Sequence, residues 1–206
     1  TFLLFIFTNK ILWSYLLIVT SILSFFEFSN LIKKKFKKEK KKIFLSNILC
    51  FFYLIMFSYI GNDFYNTSPI TLLLILLICI SSDIGGYVIG KSIGGKKLTK
   101  ISPNKTVSGS IGSFLFSFIP ILIYIIIYKQ TGNLKFYYEQ ISLLMPLCLF
   151  LSLICQLGDL FISYFKRQAR VKDTGSLLPG HGGLLDRIDG IVFVLPSAII
   201  IDKLFY

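Results

Sequence analysis

Runs such as TLLLILLICI (71–80) and FLFSFIPILIYIIIY (114–128) are apolar on every side of a helix, and this limits what the chain can fold into. A helix on the surface of a water-soluble domain shows one apolar stripe; apolar stretches of roughly 18 or more residues are long enough to cross a bilayer. The mean hydropathy of +0.74 and a hydrophobic share of 54% agree. The expected fold is all-α: a polytopic membrane protein with about six spanning helices, each near the 20-residue length that hydrocarbon requires. They are expected over 11–32, 43–60, 69–90, 107–128, 138–159 and 189–206, with residues 1–9 as the remnant of an earlier span. The chain begins with Thr rather than Met, so a preceding segment is expected. No small-residue cleavage site follows the apolar start, which does not read as a signal peptide.

Charge fixes the orientation. With alternating spans, the connections 33–42, 91–105 and 160–188 fall on one side. They carry eight Lys, then five Lys, then Lys166, Arg167, Arg170, Lys172 and Arg187, most of the 22 basic residues. The positive-inside rule places all three in the cytoplasm. The net charge of +12 therefore needs no nucleic acid to explain it. KKKFKKEKKK (33–42) reads as a topology anchor that also touches anionic membrane lipid. The four cysteines, Cys50, Cys79, Cys148 and Cys155, lie in apolar runs and form no CxxC pair, so they read as small buried hydrophobes.

Charges at membrane depth are costly and call for a reason. Asp83 lies in the third span, Asp159 ends the fifth, and Asp186 and Asp189 open the sixth; all four approach the face that carries the basic connections. Asp186 and Asp189 are three apart and so share one helical face. Hard carboxylate oxygens suit Mg²⁺, which binds one or two of them and fills its shell with substrate phosphates. A plain helix start with two dipole-favoured acids is the alternative. Around them stand Lys166, Arg167, Lys172 and Arg187, while PGHGG (179–183) offers backbone N–H groups and glycines that allow close approach to an anion. Gly85–Ser92 formally contains G-x-x-x-x-G-K-S, but it follows a membrane helix rather than a strand, so it is not read as a P-loop.

Ser163–Asp189, SYFKRQARVKDTGSLLPGHGGLLDRID, resembles the signature of the phosphatidate cytidylyltransferase (CDP-diacylglycerol synthase) family at every defined position. The GDL at 158–160, the D-x-x-x-Y at 83–87 and ISPNKT at 101–106 are similar to that family too. Val107 and Ser108 stand where the family usually has an aromatic and an acid. The resemblance implies a metal-dependent reaction of CTP with phosphatidate, giving CDP-diacylglycerol and diphosphate at the cytoplasmic face of the inner membrane. It implies Asp159, Asp186 and Asp189 as metal ligands for Mg²⁺, with room in the reading for a second cation. Phosphates would be held by Lys166, Arg167, Lys172 and Arg187, with Ser102, Lys105, Gly182 and Gly183 assisting. Asp83 is the weaker fourth carboxylate, and His181 belongs to the site without an assigned role. Membrane lipids are expected partners, and a homodimer is compatible with the reading.

A division into an N-terminal region (1–68) and a catalytic region (69–206) follows from where the similarity lies. Other readings are another CTP-dependent lipid enzyme of the polyprenol or phytol kinase kind, a CDP-alcohol phosphotransferase, of which only the DRIDG fragment is present, and a non-catalytic transporter or lipid-binding scaffold. The last has no need of four converging acids.

Overall fold

The computed structural model describes residues 9–129, 134–180 and 182–205, with side chains described for 9–127, 144–180 and 182–199. The expected remnant span at 1–9 lies almost wholly outside them. Seven helices are found among the described residues: α1 (Lys10–Phe36), α2 (Lys40–Thr67), α3 (Pro69–Ile93), α4 (Val107–Ser117), α5 (Ile119–Lys129), α6 (Leu134–Gln168) and α7 (Leu185–Phe205). No strand is present among them; only two isolated bridges occur, Lys97 with Thr106 and Leu178 with Gly182. Five stretches are long and apolar enough to cross a membrane: the first three helices, 107–127 and 144–168. The chain is a polytopic helical membrane protein.

The helices overrun the expected spans, and the polar ends explain why. α1 runs through Phe36 because Lys33, Lys34 and Lys35 fall in its last turn, where cations complement the helix dipole. α2 continues through Asp63 and Asn66 to Thr67, so Ser68 alone separates it from α3, which opens with Pro69 where the missing N–H costs nothing. The fourth span is broken at Phe118, next to Pro120, which donates no backbone N–H and crowds the preceding turn. α6 does not stop at Asp159. It extends nine residues further, to Gln168, and carries the first part of the signature, including Lys166 and Arg167 in its last turn. The connection expected to start at Leu160 is therefore helical for its first third.

Helix contacts rely on small residues and on hydrogen bonds, as membrane helices must where lipid is as apolar as leucine. A Cβ added to Gly85 would lie 2.5 Å from the Gly112 carbonyl oxygen, and one added to Gly112 would lie 2.5 Å from Ile89 Cβ. These α3–α4 contacts account for the glycines of the P-loop-like string: they pack one helix on another. We expect Gly85→Ala to destabilise the protein by about 1–3 kcal/mol through overpacking, read as a lower unfolding temperature in detergent.

The α6–α7 pair approaches as closely. A Cβ at Gly158 would meet the Asp189 carbonyl oxygen at 2.8 Å, and one at Gly190 would overlap Cys155 Sγ. Polar pairs tie the bundle further: Trp13 Nε1 donates to Gly61 O (3.1 Å), Tyr53 OH to Val192 O (3.0 Å) and Ser110 Oγ to Gln156 Oε1 (2.5 Å). Ser82 and Ser152 share a buried hydrogen bond of 2.8 Å. The cysteines are free; Cys79, Cys148 and Cys155 are buried and Cys50 is partly so. Large side chains such as Phe44, Phe52, Tyr59, Ile126 and Leu157 stay exposed on the outside, where lipid replaces water.

Candidate active site

The ends of α3, α4, α6 and α7 that adjoin the basic connections enclose a cavity of about 430 Å³. Its wall includes Asp83, Ser102, Lys105, Asp159, Lys166, Asp186, Arg187 and Asp189. More than a hundred positions of sequence separate Asp83 from Asp189; the bundle gathers them at one end.

Each wall has a local cause. Gly158 and Gly190 flank Asp159 and Asp189, and because neither carries a Cβ, α6 and α7 close to a distance that sets the two carboxyl groups within hydrogen-bonding reach of each other. Asp83, on α3, is an electrostatic neighbour of Asp159 and accepts a weak contact from Cys155 Sγ at 3.6 Å. Lys105 reaches in from the connection before α4, its Nζ 2.5 Å from Asp159 Oδ2.

That connection is held in a tight hairpin. Leu98 N donates to Lys105 O (2.8 Å) and Val107 N to Lys96 O (2.9 Å). Gly94 (φ +65°) and Gly95 (φ +104°) supply the left-handed turn that starts it. Thr106 caps α4, its Oγ1 accepting from Gly109 N at 3.0 Å. Ser108, in the family's acid position, donates to the Gly94 carbonyl and does not line the cavity. The missing acid thus falls at a place that fastens the hairpin.

Asp186 is fastened from all sides. Its Oδ1 pairs with Lys166 Nζ at 2.6 Å, and its Oδ2 accepts from Thr174 N (2.8 Å) and Gly183 N (3.0 Å), with Thr174 Oγ1 at 2.9 Å. Burial opposes ionisation of this carboxyl, yet Lys166 and the Thr174 and Gly183 N–H groups outweigh it and hold it below the usual carboxylate range. Among the described residues no three acidic, His or Cys side chains converge at metal-ligand spacing. Asp159 and Asp189 both line the cavity, while the oxygens of Asp186 are taken by Lys166, Thr174 and Gly183.

Several expected phosphate holders stand elsewhere. Arg167 does not line the cavity; its Nε donates to Ile101 O at 3.1 Å and steadies the hairpin that carries Ser102 and Lys105. Lys172 lines a separate cavity with Lys33, Lys34 and the 173–177 segment. Gly182 (φ +85°) turns the chain, its carbonyl accepting from Leu178 N at 2.9 Å, and the Gly183 N–H is spent on Asp186. His181 lies outside the described residues.

Sequence reasoning gave no role to Glu27 of α1. Its carboxylate is 8% exposed and accepts from Leu184 N (2.9 Å), Leu185 N (2.8 Å) and Thr174 Oγ1 (2.8 Å). An acid in an apolar span was the available signal, but its partners, more than 140 residues away, could not be read from the sequence. Tyr87 and Asn104, within the family-like D-x-x-x-Y and ISPNKT strings, also line the cavity, as does Gln156, which no motif marks.

A polytopic helical membrane protein with a carboxylate- and lysine-lined cavity at its basic end defines the class. The model of the cytidylyltransferase family matches residues 1–205, and the chain belongs to that family. It is 39% identical over 161 residues to phosphatidate cytidylyltransferase of Bacillus subtilis (strain 168), covering 76% of this chain and 55% of that protein. It is 43% identical over 148 residues to phosphatidate cytidylyltransferase of Rickettsia bellii (69% and 63%) and 43% over 152 residues to that of Staphylococcus aureus strain COL (70% and 56%). The chain thus spans little more than half the length of the curated relatives it matches.

Proposed function

We propose that this chain forms the catalytic part of a phosphatidate cytidylyltransferase, acting on CTP and phosphatidate at the cytoplasmic face of the membrane. One observation carries the reading: Asp83, Asp159, Asp186 and Asp189 meet Lys105, Lys166 and Arg187 around one cavity at the basic end of the bundle. Mixed carboxylates and cations fit a metal-bound polyphosphate. The names of the relatives point to the same reaction.

The chemistry is an attack by a phosphatidate phosphate oxygen on the α-phosphorus of CTP. A new P–O bond forms there, the bond to the β-phosphate oxygen breaks, and diphosphate leaves with its electron pair. The residues' task is positioning and charge neutralisation. Lys105 and Arg187 line the cavity as cations for phosphate oxygens, while the Lys166–Asp186 pair holds the end of α6 to the start of α7.

The Asp159–Asp189 pair fits a hard divalent cation: both carboxyl groups line the cavity, and Lys105 pairs with Asp159 alone. Mg²⁺ held there would supply charge neutralisation to the phosphates of the nucleotide.

The decisive assay supplies CTP and phosphatidate to membranes containing the full-length protein, with Mg²⁺ or with a chelator. CDP-diacylglycerol appears only with Mg²⁺; absence of product from folded protein refutes the assignment. Orientation is tested separately. A cysteine replacing Lys38, in the short turn between α1 and α2, is labelled by an impermeant reagent only after cells are opened. Labelling in intact cells reverses the topology.

A further inference from the structure

Glu27 is a buried carboxylate on a spanning helix, and nothing in the proposed reaction uses it. We infer that Glu27 is a positioning residue: it stands at the N-terminus of α7 in place of a bound anion and clamps the 173–185 segment so that Asp186, Arg187 and Asp189 face the cavity. The first N–H groups of a helix have no partner within it, and the helix dipole favours negative charge there. In this chain Glu27 Oε1 takes Leu184 N and Oε2 takes Leu185 N, while Asp186 takes Gly183 N. The donors that a glycine-rich loop before a helix would offer to a substrate phosphate are spent inside the protein.

The glycines support this independently. A Cβ on Gly175 would lie 2.7 Å from Glu27 Oε1, and one on Gly183 would overlap Glu27 Oε2 and Thr174 Oγ1. Gly175 has an ordinary φ and so does Gly183, so neither is required by backbone conformation. Each is small because the carboxylate of α1 lies against its backbone. Two glycines of the signature thus make room for a protein carboxylate.

Thr174 links this clamp to the site. Its single hydroxyl proton serves Glu27 Oε2 at 2.8 Å or Asp186 Oδ2 at 2.9 Å, so the two carboxylates share one donor. Asp186 in turn holds Lys166. A continuous path therefore runs from α1 through Thr174 and Asp186 to α6, and it fixes the start of the helix that bears Asp189. Glu27 has no lining role in the cavity itself and acts through these neighbours.

The effect on turnover rests on the proposed reaction; the clamp does not, and the test separates them. Hydrogen exchange is followed in detergent-purified wild type, Glu27→Gln, Thr174→Val and Thr174→Ser. The amide of glutamine turns a donor toward N–H groups, so Glu27→Gln raises exchange across 173–185 by about tenfold or more while α3 and α4 keep their protection. Exchange like wild type in 173–185 overturns the clamp, whether or not the protein makes CDP-diacylglycerol.

For the enzyme, kcat per folded molecule falls about 100-fold in Glu27→Gln with the KM for CTP changed by less than about threefold, because misplacement of reacting groups acts on the transition state. Thr174→Ser, which keeps the hydroxyl, retains most of the rate, and Thr174→Val does not. If Glu27→Gln cannot be purified folded, the Thr174 pair decides by the same two readouts. A kcat near wild type together with raised exchange overturns the positioning role. An inactive wild type refutes the proposed function and leaves the exchange result to judge the clamp.

Discussion

Asn in place of Asp189, and separately of Asp159, removes turnover while the protein stays inserted and helical. The substitution keeps the size of the side chain, so Gly158 and Gly190 still allow α6 and α7 to close. What it removes is one of the two carboxyl groups that line the cavity where α6 meets α7. On the proposed reading, one of the two carboxylates offered to a hard cation is gone, and the rate falls by on the order of 10³ or more. Asp159→Asn also takes from Lys105 its ion-pair partner, so unfolding temperature is followed beside turnover to separate lost stability from lost chemistry. Turnover per folded molecule and unfolding temperature are measured on the same preparations. More than about a tenth of the wild-type rate in both variants would remove the pair from the mechanism.

The class of fold was legible from all-round apolar runs and from the three basic connections, because those patterns express a single requirement of the bilayer. Helix ends were not, since lysines in the last turn of α1 and the polar residues of α2 extend a helix beyond the hydrocarbon without changing its apolar core. Of the site, the ionisable residues at membrane depth were legible as a group: Asp83, Asp159, Lys166, Asp186, Arg187 and Asp189 all line the cavity.

The division of labour among them was not legible. Spacing puts Asp186 and Asp189 on one helical face but cannot tell that Lys166, Thr174 and Gly183 consume the first and leave the second toward Asp159. Nor can it tell that Lys172 lines a different cavity, with Lys33 and Lys34, or that Arg167 donates to Ile101 O. PGHGG reads in sequence as an anion-binding segment; in the fold Gly183 makes room for Glu27 and its N–H is spent on Asp186.

Methionine in place of Lys166 produces the second large effect, and it falls on stability first. The Lys166 and Asp186 side chains are only 14% and 9% exposed, so the pair is scarcely screened by solvent. Removing the ammonium leaves Asp186 charged with only the Thr174 and Gly183 N–H groups and the Thr174 hydroxyl, and losing one partner of such a pair costs about 3–5 kcal/mol. Asp186→Asn is damaging for a second reason: either oxygen position filled by an amide NH₂ faces Lys166 or the Thr174 and Gly183 N–H groups. The double variant, Lys166→Met with Asp186→Asn, loses less than the sum of the singles by about 1–3 kcal/mol, because the interaction can be lost only once. Acid titration gives the sign. The folded-state value of Asp186 is depressed, so its contribution is fully present above the ordinary carboxylate value of about 4 and fades only as pH falls through the lower, folded-state value. The stability gap between wild type and Asp186→Asn is therefore flat from about pH 5 to 8 and narrows on acidification. Additive losses in the double variant, or a gap that closes near neutrality, would show that Lys166 and Asp186 do not act as a pair.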